Sequence, residues 1–377
     1  MKPTATVNDR HEEAPAPRVE YRNRRSRIFL RESFERQFVI PLDEPPALLE
    51  RALRAYERRV LKVDTSAIPI DRPIFLIGLP RSGTTMLQDI ICAHPAIAYV
   101  TNSMHQFRSC FCAVEHVCRR LKLDFKGERY ILDGVEVQPG SPNEGHGFLM
   151  DWLNIDPYSL RFKTCRIGDI PEHKVEELRE IIRKVIWCHG GQANRFFNKS
   201  PALVARIPPI RTWFPDARIV HVVRDARMTA NSMIKLYHRH VAQEARIRAR
   251  LGVQPHPDGP LIPYPRIPRL EQYIESYGCD DIRTTANIWN DAISIINDAK
   301  VDVPFFYEVR YEDIIANPKT EIAKLMEFCE LPEVADPGAP FWRQVRRIRT
   351  GPAPAPYGDF ELVEDICREN MRKYAYL

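Results

Sequence analysis

The chain has 377 residues, enough for one large α/β domain with insertions or for two modest domains, and a single large domain is the arrangement we expect. Its 55 Lys and Arg against 50 Asp and Glu give a net charge of +5, which excludes the dense positive charge of a dedicated nucleic-acid binder but allows a local anion site. Nine cysteines without metal-ligand spacing argue against a zinc cluster and a disulfide framework.

The N-terminal segment carries no targeting pattern. Residues 1–17 lack the apolar core of a secretory signal, and no later stretch approaches the roughly 18 uninterrupted apolar residues of a membrane helix. We therefore expect a soluble, cytoplasmic protein. Residues 1–27 are charged and contain proline, which predicts a mobile N-terminal arm in front of a single domain over residues 28–377.

The rest of the chain alternates helical and strand patterns. A helix over residues 48–61 follows Pro45 and Pro46, and we expect it to pack beside the first strand. Continuous apolar runs typical of buried parallel strands predict extended segments at residues 73–78, 196–199, 218–223 and 304–310. Helical spacing predicts helices at residues 84–93, 171–190, 273–300 and 318–329, and one after residue 225 that Asp225 caps.

Alternating strands and helices predict an α/β fold, a parallel sheet of the P-loop NTPase type that is flanked by helices. Helical insertions near residues 100–165 and 240–280 should cover the substrate. Within the second, residues 251–270 hold eight prolines or glycines, which predicts a surface excursion and candidate lid. Active sites of such sheets lie at the carboxyl ends of the strands.

The first strand leads into a phosphate-binding loop. The sequence GLPRSGTT from Gly78 has the GxxxxG spacing, between a strand and a helix, so the backbone amides of Ser82 and Gly83 and the helix N-terminus should bind an anion. Nucleotide triphosphatases continue this loop with a lysine, and here Thr84 takes its place. Together with Arg81 inside the loop, this change favours a smaller phosphate group over a hydrolysed triphosphate.

Two segments resemble the sulfotransferases that use 3′-phosphoadenosine 5′-phosphosulfate (PAPS). LPRSGTTML is similar to the loop that holds the 5′ phosphosulfate, which implies contacts from Arg81, Ser82, Gly83, Thr84 and Thr85. HVVRDARMTANSMIKLY resembles the segment that holds the 3′ phosphate, which implies binding by Arg224 and Ser232. Ser232 lies seven residues past Asp225, two helical turns on and on nearly the same face, so both side chains can reach one ligand.

Two further segments extend the resemblance to residues 74–332. FNKSP resembles a segment of tyrosylprotein sulfotransferases whose lysine neutralises the departing phosphate, which implies this catalytic role for Lys199 and a contribution from Arg81. VRYEDI resembles a segment whose tyrosine packs on adenine, which implies Tyr311. Met86 and Pro201 replace a tryptophan and a catalytic histidine of the cytosolic phenol and steroid enzymes. The chain therefore looks nearer to the bacterial and tyrosylprotein branches.

The sequence leaves three candidates for the general base. Residues 141–147 resemble an acidic P-x-E segment of bacterial relatives, which favours Glu144, then His146, with His105 as the third candidate. His221 is assigned to the strand core. Since the resemblance implies a family that works without a metal, we expect no metal requirement.

Two other functions compete with PAPS-dependent transfer. They are a P-loop kinase or nucleotide hydrolase, against which the missing lysine argues, and a catalytically silent PAPS-binding module. The acceptor should carry a hydroxyl or amine and be partly hydrophobic, because aromatic residues are frequent in the two insertions. These residues are Phe107, Phe111, Phe148, Trp152, Tyr264 and Tyr273. No nucleic-acid partner is expected, and the sequence does not predict the oligomeric state.

Overall fold

The structure is a computed structural model, and its described part covers residues 19–28, 30, 47–129, 135–153, 155–156, 158–251, 254, 259–348 and 356–377. Most of the arm predicted over residues 1–27 lies outside these ranges. Its last part includes a short strand at Val19–Tyr21 that pairs antiparallel with Phe125–Glu128. The division into arm and single domain stays a prediction.

The strands fall into two sheets. In chain order they are β1 (Val19–Tyr21), β2 (Ile74–Ile77), β3 (Ile97–Tyr99), β4 (Phe125–Glu128), β5 (Glu136–Val137), β6 (Arg195–Lys199), β7 (Arg218–Val223) and β8 (Phe306–Arg310). Strands β1, β4 and β5 form a small antiparallel sheet, and the other five form a parallel sheet in the order β3-β6-β2-β7-β8. The predicted α/β fold with a parallel sheet is confirmed.

Fourteen helices with bounds in the described residues connect and cover these strands. They are α1 (Ala47–Tyr56, continued by a π-helical turn over Glu57–Leu61), α2 (Thr84–Cys92), α3 (Asn102–Gln106), α4 (Phe111–Leu121), α5 (His146–Leu153), α6 (Glu172–His189), α7 (Ile207–Trp213), α8 (Ala226–Leu251), α9 (Leu270–Tyr277), α10 (Ile282–Lys300), α11 (Tyr311–Ala316), α12 (Pro318–Phe328), α13 (Pro340–Arg346) and α14 (Phe360–Lys373).

The central strand β2 is apolar without interruption because both of its faces are buried. Phe75 and Ile77 face a core formed with α6, α8, α10 and α14, whereas Ile74 and Leu76 face a core formed with α2, α12 and α13. All four side chains are buried because helices cover both faces of the sheet. No helix in the described part of the chain is both long and apolar enough to cross a membrane.

Helix α1 does not pack beside the first strand as expected. Its buried residue Leu53 belongs to a third apolar cluster, with Phe107 and residues of α4 such as Val114. Both faces of β2 are already occupied by other helices, so the amphipathic face of α1 is buried against α4 instead.

The helix predicted over residues 273–300 is broken into α9 and α10. Gly278 ends α9 with a φ of 90°, a conformation that favours glycine. Asp281 then starts α10, because its Oδ1 accepts a hydrogen bond from the Arg283 amide at 2.8 Å. Local turn chemistry overrides the apolar period here.

The second half of residues 251–270 is not a surface excursion. Tyr264 and Ile267 are 3% and 0% exposed, and the Tyr264 hydroxyl donates to the Cys279 carbonyl at 2.7 Å. Five of the six aromatic residues predicted to line an acceptor pocket are buried in apolar cores. They are Phe107, Phe111, Phe148, Tyr264 and Tyr273. Only Trp152 is half-buried, so these residues no longer support a hydrophobic acceptor pocket.

Candidate functional site

All four segments that the sequence singled out lie at one edge of the parallel sheet. The loop from Gly78 follows β2, Lys199 ends β6, Arg224 follows β7 and Tyr311 follows β8. Strands β6, β2, β7 and β8 are neighbours and parallel, so their carboxyl ends meet along one edge. In register, Lys199 lies opposite Leu76, two residues before the loop begins.

The loop approaches its neighbours so closely that two glycines are required. A Cβ on Gly78 would lie 2.8 Å from the Val222 carbonyl oxygen, and one on Gly83 would lie 2.4 Å from a ring carbon of Tyr311. Gly83 also has a φ of 99°, which side-chain-bearing residues rarely adopt. The loop is therefore held against β7 on one side and the Tyr311 ring on the other.

Ser82 takes part in the turn of the loop. Its amide donates to the Leu79 carbonyl at 3.2 Å, and its hydroxyl donates to the same oxygen at 2.7 Å. Both donors of Ser82 are thus engaged within the turn, and the predicted binding of an anion by its amide stays a prediction. Helix α2 begins at Thr84, and no side chain in the described ranges caps its N-terminus, so its first amides, including those of Thr84 and Thr85, are available to an anion.

The loop and the segment after β7 are in direct contact. Arg81 Nε donates to Ser232 Oγ at 3.0 Å, and Arg224 Nη1 donates to the Arg81 carbonyl at 2.9 Å. Arg81 has a φ of 72°, an uncommon conformation for a residue other than glycine. Asp225 caps α8 as predicted, because its Oδ1 accepts from the Arg227 amide at 2.8 Å.

The guanidinium of Arg224 contacts both the loop and the Tyr311 ring. Within the described part of the chain the buried Nε of Arg224 has no hydrogen-bond partner, and the guanidinium carbon lies 4.4 Å from the centre of the Tyr311 ring. The indole of Trp289 donates to the Arg224 carbonyl at 3.0 Å and fixes the backbone. One face of Tyr311 is thus already covered by Arg224, and the predicted packing of Tyr311 on adenine stays a prediction.

Lys199 forms the centre of a second cluster, at the end of β6. Its side chain is 3% exposed, and its ammonium forms an ion pair with Glu144 Oε1. The other carboxylate oxygen of Glu144 lies 2.8 Å from His146 Nε2, and the Glu144 carbonyl accepts from Asn198 Nδ2 at 3.0 Å. The structure therefore brings Lys199 together with Glu144 and His146, which lie more than 50 residues before it along the chain.

His105 bonds to the backbone next to Glu144 and His146. Its Nε2 accepts a hydrogen bond from the Gly147 amide at 3.0 Å, and burial, reinforced by the charges of His146 and Arg108, lowers its pKa to about 3. A neutral His105 that accepts from the backbone fixes the turn that carries Glu144 and His146. His221, predicted in the strand core, is 1% exposed and pairs with Glu308.

The charge of Glu144 is strongly stabilised. Burial by itself would raise the pKa of this carboxyl, but the charge of Lys199, together with the hydrogen bond and charge of His146, outweighs burial and lowers the pKa well below its ordinary value. Glu144 is therefore ionised at neutral pH, and both of its oxygens are engaged.

One further carboxyl near Lys199 was missed by the sequence reasoning. Asp89 lies on α2, one turn after Thr85, and burial raises its pKa to about 6 against the opposing charges of Lys199 and Arg129. The signal was present in the helical period, because a residue four positions after Thr85 shares its face. Among the described residues, no group of three or more His, Cys, Asp or Glu is arranged to hold a metal ion.

The sequence of this chain matches known proteins over most of its length. Residues 71–339, more than half of the chain, match the family described as the sulfotransferase domain. Protein-tyrosine sulfotransferase A of Caenorhabditis elegans is 22% identical over 262 residues, 69% of this chain and 50% of that protein. The protein-tyrosine sulfotransferase of Drosophila melanogaster is 22% identical over 261 residues, 69% of this chain and 38% of that protein. The chain thus spans half or less of the length of these two relatives.

Among solved structures, sulfotransferase STF9 from Mycobacterium avium superposes with a TM-score of 0.52 at 14% identity, covering 85% of this chain and 81% of that one. At this identity the likeness shows the shared fold. The fold, the loop between β2 and α2 and the extent of the sequence match lead to one conclusion: this chain belongs to the sulfotransferase family.

Proposed function

We propose that this chain is a PAPS-dependent sulfotransferase that delivers a sulfuryl group to a hydroxyl or amine acceptor. The contact of Arg81 with Ser232 at 3.0 Å carries the proposal, because it joins the phosphate loop to the segment expected to hold a 3′ phosphate. The two anionic ends of one adenosine ligand can then be held in a single pocket. PAPS, the donor substrate of this sulfuryl transfer, carries a phosphate at both the 3′ and the 5′ position of its adenosine.

The residues present fit such a ligand. The N-terminus of α2 supplies amide donors for the 5′ side, and the Nε of Arg224, which is buried and has no partner among the residues described, supplies a donor for the 3′ side. Ser232, which lies beside Arg81, adds a hydroxyl. Gly78 and Gly83 keep the cradle open at positions where a Cβ would collide with neighbours.

In this mechanism, PAPS supplies an activated sulfuryl group on its 5′ phosphate. Lys199 is the cation placed to balance the charge that develops on the phosphate oxygen when the sulfur–oxygen bond breaks. Thr84, Thr85 and Arg81 hold the phosphate side while the acceptor oxygen approaches in line. The acceptor oxygen forms the new bond to sulfur and releases its proton.

His146 is the residue that we assign to take this proton. When Glu144 Oε2 accepts from Nε2–H at 2.8 Å, the lone pair of the neutral ring is left on Nδ1. A carboxylate that holds the tautomer of a catalytic histidine is a recurring arrangement. Glu144 itself is a weak base because Lys199 and His146 stabilise its ionised form, so we assign it a positioning role.

Asp89 is the competing base, since its pKa of about 6 suits proton transfer near neutral pH. The pH–rate profiles of His146→Gln and Asp89→Asn separate the two residues. We expect His146→Gln to lower kcat by about 10²-fold or more across the whole profile, and Asp89→Asn to leave kcat within about threefold of wild type. The reverse pattern would transfer the role to Asp89.

The proposed activity is tested directly by incubating the protein with PAPS and a mixed acceptor library and detecting sulfated products by mass spectrometry. Phenols are the first acceptors to include, because two relatives are named protein-tyrosine sulfotransferases. Sulfated product is the expected result. Binding of 3′-phosphoadenosine 5′-phosphate (PAP) with no transfer to any acceptor would favour a silent binding module, and a preference for ATP over PAP would favour a kinase or hydrolase.

A further inference from the structure

The last residues of the chain return to the edge of the sheet that carries the candidate site. After α14, the Tyr376 hydroxyl donates to Glu312 Oε2 at 2.7 Å, and the Tyr374 hydroxyl donates to Glu308 Oε2 at 2.8 Å. Glu308 belongs to β8, and Glu312 follows Tyr311 directly at the start of α11. Two tyrosines of one short segment therefore bind two carboxylates four residues apart.

Glu312 connects Tyr376 to the backbone of the donor site. While Oε2 accepts from Tyr376, Oε1 accepts from the Asp225 amide at 3.2 Å. This amide belongs to the peptide bond between Arg224 and Asp225, so the Glu312 carboxylate holds the turn that presents Arg224. The same carboxylate is adjacent in sequence to Tyr311, whose ring carries the Arg224 guanidinium.

Other contacts hold Tyr376 in this place. The Arg310 guanidinium lies 4.6 Å from the centre of its ring, and Arg227 Nη2 donates to its carbonyl at 3.4 Å. Arg227 also reaches α14 through Glu364 at 2.7 Å. Burial, and then the charge of Glu312, raise the pKa of Tyr376, so the hydroxyl keeps its proton and its ability to donate.

We propose that Tyr376 is a positioning residue for donor binding, acting through Glu312 on the Arg224–Asp225 peptide and on Tyr311. The proposal rests on the proposed function, since it concerns the 3′-phosphate side of the same pocket. Without the Tyr376 hydroxyl, the Glu312 carboxylate loses a donor and can turn away from the Asp225 amide. Arg224 then samples more orientations, so ligand binding carries an added entropy cost for ordering its side chain.

Tyr374 provides a matched control in the same segment. Its hydroxyl also donates to a carboxylate of the β8 region, but Glu308 is held in addition by His221 at 2.8 Å and by Lys300 at 3.0 Å. No contact among the described residues links Glu308 to the Arg224–Asp225 turn directly. Tyr374→Phe therefore removes the bond to Glu308, and a further contact with Asn297 Oδ1 at 3.1 Å, without releasing the donor site.

The experiment measures the Kd of PAP by calorimetry for the full-length chain and for Tyr376→Phe, Tyr374→Phe and Glu312→Ala, with Tm for each. We expect Tyr376→Phe to raise Kd by about fivefold or more and Tyr374→Phe to leave it within about twofold, although Tyr374→Phe should lower Tm at least as much. The rise should appear in the KM for PAPS with little change in kcat at saturation. Adding Tyr376→Phe to Glu312→Ala should produce no further rise, because the two residues act as one unit.

The outcomes separate the two proposals. Wild-type protein that does not bind PAP would refute the proposed function and, with it, the role of Tyr376. Wild-type protein that binds PAP, with equal Kd values for both phenylalanine variants, would refute the role of Tyr376 alone and leave the proposed function standing. Should Glu312→Ala fail to fold, the comparison of the two phenylalanine variants still decides the question.

Discussion

Replacing Lys199 with methionine should abolish most turnover while leaving donor binding nearly intact. The ammonium is 3% exposed and has Glu144 as its ion-pair partner, so little water screens it from a neighbouring anion. Two unit charges about 4 Å apart interact by about 4 kcal/mol at an effective dielectric constant near 20. Since each 1.36 kcal/mol changes a rate about tenfold, losing this interaction from the transition state lowers kcat by about 10²- to 10³-fold.

Methionine keeps the length and volume of the lysine stem, so Lys199→Met should fold. Glu144 keeps a partner in His146, and its side chain is 32% exposed, so it does not become a fully buried lone charge. PAPS turnover is followed by the release of PAP, and the Kd of PAP is measured by calorimetry. We expect the Kd to change by less than about threefold, because the 3′-phosphate side of the pocket is formed by other residues.

Lys184→Met is the matched control for this experiment. Lys184 pairs with Glu57 at 3.5 Å and is 31% exposed, and it lies on α6, outside the candidate site. Its replacement should change Tm slightly and leave kcat unchanged. Unchanged kcat in Lys199→Met, or a loss of kcat no larger than in Lys184→Met, would refute the electrostatic role of Lys199.

Three further predictions address the loop, the carboxylate and the metal. Gly83→Ala should weaken PAP binding by about tenfold or more and lower Tm, because its Cβ would lie 2.4 Å from the Tyr311 ring at a φ of 99°; unchanged binding would show that the loop is not held by Tyr311. Folding lowers the pKa of Glu144 below its ordinary 4.5, so the ionised carboxylate stabilises the folded state above that pH, and this stabilisation is lost as pH falls below it. The Tm advantage of wild type over Glu144→Gln should therefore be largest at neutral pH and shrink in acid. A constant difference in Tm would contradict this. Turnover should survive a chelator, whereas loss of activity that Mg²⁺ restores would refute a metal-free mechanism.

Much of the fold follows from the sequence because the signals are local. The run Ile74–Ile77 is apolar without interruption, and it is the central strand with helices on both faces. Asp225 caps α8 as its position after a strand suggests. The break between α9 and α10 was missed because the apolar period continues across it. Gly278 and the Asp281 cap are the local signals that end one helix and begin the next, and they outweigh the apolar period.

The candidate site is only partly predictable for a different reason. The loop is a short-range motif whose spacing between a strand and a helix indicates an anion site, and the roles predicted for Arg224 and Ser232 come from the resemblance of their segment to the family. The ion pair between Lys199 and Glu144 joins residues more than 50 positions apart, and the bond from Tyr376 to Glu312 spans more than 60. No periodicity reports such contacts, since they depend on how the insertion and the C-terminal segment pack on the finished sheet.

The account depends most on a pocket that recognises phosphate at both ends of one adenosine, and the affinity of PAP relative to adenosine 5′-monophosphate tests this most directly. We predict that wild-type protein binds PAP about 10²-fold more tightly, because Arg224 and Ser232 add charge-assisted hydrogen bonds to the 3′ phosphate. Arg224→Met combined with Ser232→Ala should remove this preference, so that the affinities for the two ligands differ by less than about threefold. Equal affinity of the wild-type protein for both ligands would contradict the account.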